Sequence, residues 1–189
     1  MSKIFKSIFI VVVLLIMTIV IVKQLDLKTY ILKKMYPTTY SEFVYKYSEE
    51  NNIDPLLIFA IIKAESNFNK DAISNSNAIG LMKIMEETAK EIVQKDLNKE
   101  FTEDILLIPE ENIKIGTIYF NKLLKKYDGN IGISLAAYNA GIGKVDGWIK
   151  NEIIKEDGSD LENIPYKETN NYVRKILRDY NIYKNIYNK

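Results

Sequence analysis

Hydrophobic and polar positions alternate in two different ways along the chain. From Ser7 to Val22 no residue is charged and Ile, Val and Leu dominate, with Lys3 and Lys6 ahead of the run and Lys23 closing it. Such a segment prefers lipid to water. It is slightly short of the roughly 20 residues that span hydrocarbon, but Ile4 and Phe5 extend it, because the Lys6 ammonium can snorkel to the headgroups. Removal as a signal peptide needs small residues just after the apolar run, and Lys23, Gln24, Leu25, Asp26 and Leu27 supply none. The expectation is an anchor over residues 1–25, a juxtamembrane linker over 26–38 and one folded domain over 39–189. If the first segment is cleaved after all, the domain is secreted.

Beyond Tyr36-Pro37 the spacing is helical, with almost no alternating strand pattern, so the domain is expected to be all-α. Thr39 and Glu42 have capping-box spacing, and Tyr40, Phe43, Val44 and Tyr47 fall on one face. Asp54-Pro55 is an N-cap residue followed by Pro in the first helical position. The next segment, Leu56 to Ala64, is apolar on nearly every side and reads as a central helix packed all round. A third helix is expected after Gly80 through Met85, Ala89, Ile92 and Val93. A fourth opens near Pro109, buries Ile113, Gly116, Phe120, Leu123, Leu124 and Tyr127, and ends at Asp128-Gly129-Asn130. A fifth covers Ile131 to Asn139 and stops at Gly141. The last follows Pro165 and presents Tyr172, Val173, Ile176, Leu177 and Tyr180. The polar stretch from Asn151 to Asn163 reads as a surface loop beside a cleft.

Composition narrows the chemistry. The chain has 189 residues, 26 Lys and Arg against 25 Asp and Glu, no His and no Cys. A net charge of +1 gives no electrostatic case for nucleic acid as partner. Without His or Cys there are no thiol nucleophiles, no Ser-His pairs and no zinc site built on those ligands. Acid-base chemistry near neutral pH must then come from a carboxylate, Lys or Tyr with a displaced pKa. No motif points to a metal, nucleotide or flavin, so neither metal nor cofactor is expected.

One carboxylate stands apart. Glu65 ends the apolar run Leu56 to Ala64, where burial disfavours the ionised form and suits a general acid. The plainer alternative is a solvated Glu at a helix end.

The residues after Glu65 bear on that choice. Glu65-Ser66-Asn67-Phe68-Asn69, Ala72-Ile73-Ser74, Ala78-Ile79-Gly80-Leu81-Met82-Lys83-Ile84-Met85 and Thr88-Ala89 together resemble the Slt-type lytic transglycosylases, peptidoglycan-cleaving enzymes of the lysozyme-like superfamily. The resemblance continues in Asn112-Ile113 with Gly116 and Tyr119, in Ala136-Ala137-Tyr138-Asn139-Ala140-Gly141 with Gly143 and Val145, and in Ile164-Pro165-Tyr166 with Glu168-Thr169 and Tyr172-Val173. It implies a goose-type, lysozyme-like helical domain with a cleft, preceded here by one transmembrane helix. It also implies the activity: non-hydrolytic cleavage of the bond between N-acetylmuramic acid and N-acetylglucosamine, giving 1,6-anhydromuramoyl products, with Glu65 as the single acid and base. A hydrolytic muramidase on the same fold, or a catalytically silent glycan-binding protein, are the alternatives. The partners implied are peptidoglycan strands and, through the first helix, a membrane with the domain on its cell-wall side. Lys23, Lys28, Lys33 and Lys34 outnumber Lys3 and Lys6 and count the other way, but long following domains translocate largely regardless of charge.

By the same resemblance, Tyr138 sits near Glu65 and the scissile sugar and orients the acid or supports positive charge on the ring, or else is a core Tyr. Asn139 bonds an acetamido group or the helix end. Ser74 touches substrate or simply forms a turn, and Met85 lines the cleft or the core. Glu168 meets the stem peptide or answers the helix dipole. Tyr119 and Tyr172 are cleft walls or core. Three positions depart from the family pattern. Asn77 replaces a usual Gly, which calls for a positive φ that Asn tolerates. Glu86 replaces a usual Pro. Lys83 replaces a cleft-lining Gln, exchanging an amide for an ammonium that contacts a substrate carboxylate or pairs with Glu86 or Glu87.

Overall fold

In the computed structural model, which describes residues 3–24 and 27–188, the helical spacing becomes nine α-helices among the described residues. They are α1 (Lys3–Gln24), α2 (Leu27–Met35), α3 (Ser41–Glu50), α4 (Pro55–Ser66), α5 (Glu86–Lys95), α6 (Pro109–Lys126), α7 (Ile131–Ala140), α8 (Ile142–Lys150) and α9 (Lys167–Tyr187). Short 3-10 turns lie at Glu103–Leu107 and Leu161–Asn163. Among the described residues β-pairing is confined to isolated bridges, Ile73 with Ile79 and Ile79 with Ile84, and the structure is all-helical. The chain forms two compact units, one ending at Pro37 and one beginning at Thr38.

In the first unit, Ile4–Lys23 is long and apolar enough to cross a membrane. Its Ile, Val and Leu side chains are exposed along the whole helix, as a lipid-facing surface requires. A second, shorter helix, α2, occupies most of the stretch expected to be a linker.

The second unit is built around α4. Asp54 caps it, its Oδ1 accepting from the Leu56 N–H at 2.8 Å, and Pro55 supplies the preset φ of the first turn. Every residue from Leu56 to Ile62 is buried, so the helix is core on all sides. Helices α3 and α9 pack on it, and α7 packs on α9, α6 and α8. Phe59 of α4 stacks on Tyr183 of α9 with centroids 5.9 Å apart. At about 1.5–3 kcal/mol for each large apolar side chain removed from water, this cluster is a main source of the domain's stability.

Two local expectations are revised, and one helix is added to those the sequence signals. Helix α3 begins at Ser41 after Tyr40 in a left-handed conformation (φ 61°), with no side-chain cap, so Thr39 and Glu42 do not form a capping box. The third helix starts at Glu86 rather than after Gly80, because Gly80 (φ 86°) and Lys83 (φ 46°) turn the chain and Ile79 and Ile84 exchange backbone hydrogen bonds at 3.0 Å. Gly141, at φ 92° and ψ 146°, ends α7 and opens α8 directly. The two glycines of α8 lowered its helical signal, while Val145 and Trp148 bury its inner face. Finally, the loop 151–163 docks on the α6–α7 turn, where Asn130 Nδ2 donates to the Asp157 carbonyl at 2.7 Å.

Candidate active site

Helix α4 stops where its sequence stops supporting a helix. Asn67 takes the left-handed conformation (φ 49°) and its N–H closes on the Lys63 carbonyl at 3.2 Å; Phe68 follows at φ 64°. Glu65 is thereby fixed in the final turn of a helix whose preceding seven buried residues anchor it in the core.

Packing of α9 against α4 brings two side chains to Glu65. Tyr172 donates its hydroxyl to Glu65 Oε1 at 2.6 Å, and Lys175 Nζ donates to the neighbouring Ala64 carbonyl at 3.3 Å. Burial pushes the Glu65 carboxyl above the usual Glu range; the Tyr172 hydrogen bond and the charges of Lys83 and Lys175 pull it partly back. No second carboxylate is among the groups acting on it. Burial also raises the phenols of Tyr172 and Tyr138 well above their ordinary value, and the Glu65 charge adds to both, so both hydroxyls stay protonated donors.

Near Glu65 lies the turn at Gly80 to Met85, where one buried amide makes three of the bonds that hold the turn. Asn112 of α6 accepts from the Met82 N–H at 2.8 Å and donates to the carbonyls of Ile79 at 2.9 Å and Leu106 at 2.8 Å. Gly80 is required there twice over: its φ is positive, and a Cβ would collide with Asn112 and the Leu106 carbonyl. A Cβ at Gly116 would collide with Met82, so that glycine lets α6 and the turn close together. The Met82 carbonyl in turn accepts from the Tyr138 hydroxyl at 2.8 Å.

Beside this turn lies a pocket of about 260 Å³ lined by Lys83, Met85, Thr88, Tyr119, Tyr138 and Asn139, among others. The Tyr119 and Tyr138 rings meet at 5.3 Å and form its aromatic wall. Met85 is 44% exposed and faces this space, not the core. Asn139 Oδ1 accepts from Thr169 Oγ1 at 2.8 Å, which leaves its amide NH2 as a donor. Lys83 pairs with neither Glu86 nor Glu87; the carboxylate its charge acts on is Glu65.

The structure therefore brings Glu65, Tyr138 and Tyr172 together, with Lys83, Met85, Tyr119 and Asn139 along the adjoining wall. Tyr138 does not hydrogen-bond the acid; Tyr172 does. Ser74 holds a turn, its Oγ accepting from the N–H groups of Ser76 and Ala78 at 3.2 and 2.9 Å. Asn77 takes the positive φ expected of it, 62°. Glu168 is exposed in the first turn of α9, four residues before Tyr172 and so on the same face. Sequence reasoning missed Lys175, which acts across 111 residues of chain and carries no local signal; it named Thr169 and Asn112 only inside motifs. No group of three or more His, Cys, Asp or Glu able to hold a metal occurs among the described residues.

Residues 42–160 match the Transglycosylase SLT domain family. Over 148 residues the chain is 34% identical to the soluble lytic murein transglycosylase of Escherichia coli (strain K12), covering 77% of this chain and 23% of that protein. It is 38% identical over 115 residues to the membrane-bound lytic murein transglycosylase C of Edwardsiella ictaluri, covering 56% of this chain and 32% of that one. Its fold is similar to that of an inactive Glu-to-Gln mutant of lytic transglycosylase Slt from Pseudomonas aeruginosa, with a TM-score of 0.76 at 32% identity over 83% of this chain and 26% of that one. A soluble lytic transglycosylase of 70 kDa in complex with bulgecin A is also similar, with a TM-score of 0.75 at 33% identity, covering 82% and 25%. The chain spans about a quarter of the length of most of these relatives.

Proposed function

The chain belongs to the Transglycosylase SLT domain family, and from that premise we propose that it is a peptidoglycan lytic transglycosylase with Glu65 as its single acid and base. The observation that carries this reading is a half-buried carboxyl, raised in pKa by its desolvation and held by Tyr172, with no second carboxylate of the described residues acting on it. Glycosidases that hydrolyse usually flank the bond with two carboxylates. One carboxyl suffices if the substrate supplies the nucleophiles.

Protonated Glu65 gives its proton to the glycosidic oxygen leaving with N-acetylglucosamine. The 2-acetamido oxygen of the muramoyl residue bonds to C1 as that bond breaks. The Glu65 carboxylate then takes the proton of the C6 hydroxyl, whose oxygen displaces the acetamido group from C1 and closes the 1,6-anhydro ring. No water is consumed. The C6 hydroxyl, already held on the same sugar, outcompetes bulk water by effective molarity. Tyr172 restrains the carboxyl in both roles, Tyr119 and Tyr138 offer rings for the sugar face, and Asn139 offers its NH2 to an acetamido carbonyl. Ser74 keeps its hydroxyl proton for a substrate acceptor, since its oxygen already accepts two N–H bonds. Met85 lines the same sugar cleft, and Glu168 lies within reach of a stem peptide.

That an inactive relative differs by a Glu-to-Gln change supports an essential glutamate. The apolar helix and the membrane-bound relatives point to membrane association. The reading adds a single-pass anchor with the domain on the cell-wall side, where the glycan lies.

The test is mass spectrometry of products released from purified peptidoglycan by the full chain in detergent and by its Glu65→Gln form. Anhydromuramoyl ends made by the wild type alone are expected. Reducing ends heavier by one water would replace the reading with a muramidase, and no release by either form would replace it with a glycan-binding protein.

A further inference from the structure

In the pocket beside Glu65, Lys83 alone of the lining side chains carries a charge. It makes no ion pair with any described residue, although Glu86 and Glu87 are its near neighbours in the chain. An ammonium that makes no ion pair, set in a wall of tyrosine rings and an amide, is a ready seat for one anion.

The backbone under Lys83 sharpens the point. At φ 46° it occupies the left-handed region, which Gly or Asn enters with less strain. The turn is enforced from outside by the Asn112 bonds and by the Lys83 N–H closing on the Gly80 carbonyl at 3.2 Å. Nothing in the packing of the turn calls for a lysine. A strained residue that stability does not explain, aimed at an open pocket, is the pattern of a ligand contact.

The pocket's size and walls restrict that ligand. At about 260 Å³ it lies near the small end of ligand pockets, roughly 300–1,000 Å³, and holds about one sugar ring. Resting on the transglycosylase reading, we propose that Lys83 binds the free lactyl carboxylate of an N-acetylmuramoyl residue, and so selects glycan strands stripped of their stem peptides. In peptide-bearing strands that carboxyl is an amide and carries no charge. Hydrolysis of the lactyl amide is then the class of reaction that must precede this enzyme and supply its substrate.

The experiment compares the full chain in detergent on one glycan preparation with its peptides retained or enzymatically removed, scoring anhydro ends. The wild type is expected to show a KM about tenfold lower on stripped strands, the size of one hydrogen bond to a charged group. Lys83→Gln is expected to lose the preference through KM, and Lys83→Arg to keep it. High salt is expected to erode it in the wild type and in Lys83→Arg. Equal KM values for both strands in the wild type, or a preference that survives in Lys83→Gln, overturn the inference while leaving the transglycosylase reading intact. Binding of both strands to Glu65→Gln, followed without turnover, separates the two claims: if no strand is cleaved by the wild type, equal binding overturns the Lys83 assignment too, and tighter binding of the stripped strand sustains it.

Discussion

The Tyr172 hydroxyl reaches Glu65 Oε1 at 2.6 Å across 107 residues of chain. It joins the last turn of the buried helix α4 to the second turn of α9, so the position of the acid depends on how those two helices pack. Phe59 and Tyr183 stack between the same helices, and the core thereby sets the geometry of the site.

Removing that hydroxyl separates its two effects. The bond lowers the Glu65 pKa against the upward push of burial, so Tyr172→Phe raises it further. The basic limb of kcat, which reports loss of the acid's proton, is expected to move to higher pH. Loss of orientation is expected to cut kcat by about 10- to 100-fold. A pH–rate profile of the variant against wild type checks both.

Glu65→Gln is expected to lower glycan cleavage by about 10²- to 10⁴-fold, and to change stability in a definite direction. Folding raises the Glu65 pKa above its ordinary 4.5, the value expected unfolded. The stabilisation that protonation contributes is thus fully present below about pH 4.5 and is lost as pH rises through the folded value. Gln is neutral at every pH. The variant is expected to melt above the wild type at pH 7, by about 2–4 °C per kcal/mol, with the gap closing as pH falls through the folded pKa toward 4.5 and staying closed below it. A gap that widens toward low pH would contradict the assigned burial.

What the sequence made legible was local. Asp54-Pro55 predicts the start of α4 because both signals act within one turn, and the apolar run after it predicts a buried helix. The all-helical class followed from the same periodicity. The turn at Gly80 to Met85 was misread as helix because Asn112, some thirty residues away, decides its shape. The sequence leaves open whether Tyr138 orients the acid, supports charge on the sugar ring or is core, and whether Tyr172 is wall or core, since only tertiary packing shows which hydroxyl reaches Glu65. Helix α8 went unseen because Gly143 and Gly147 dilute nine residues whose helicity comes from burying Val145 and Trp148.

Asn112 provides a test of the turn itself. Replacing it with Ala strands the Met82 N–H and the Leu106 carbonyl in the interior, at about 1–3 kcal/mol each, and leaves the Ile79 carbonyl with only its bond from the Ile84 N–H. Asn112→Ala is expected to lose about 3–5 kcal/mol in denaturant unfolding. Asn112→Asp, which keeps the acceptor for the Met82 N–H but has no amide NH2 for the two carbonyls, is expected to remain destabilised as well. A loss under 1 kcal/mol for the alanine variant would mean that the turn is held by other contacts.

The two tyrosines near the acid should fail in different ways. Tyr138 donates to the Met82 carbonyl and not to Glu65, so Tyr138→Phe removes a bond that ties α7 to the turn carrying Lys83. One neutral hydrogen bond is worth about 1 kcal/mol, and the pocket wall loosens without direct change at the carboxyl. The expected result is a KM raised by about 3- to 10-fold with the basic limb of kcat near its wild-type pH, the reverse of the pattern expected for Tyr172→Phe. If Tyr138→Phe moved the kcat limb as far as Tyr172→Phe does, Tyr138 would be acting on Glu65 directly during turnover, and the division of labour between the two hydroxyls would have to be redrawn.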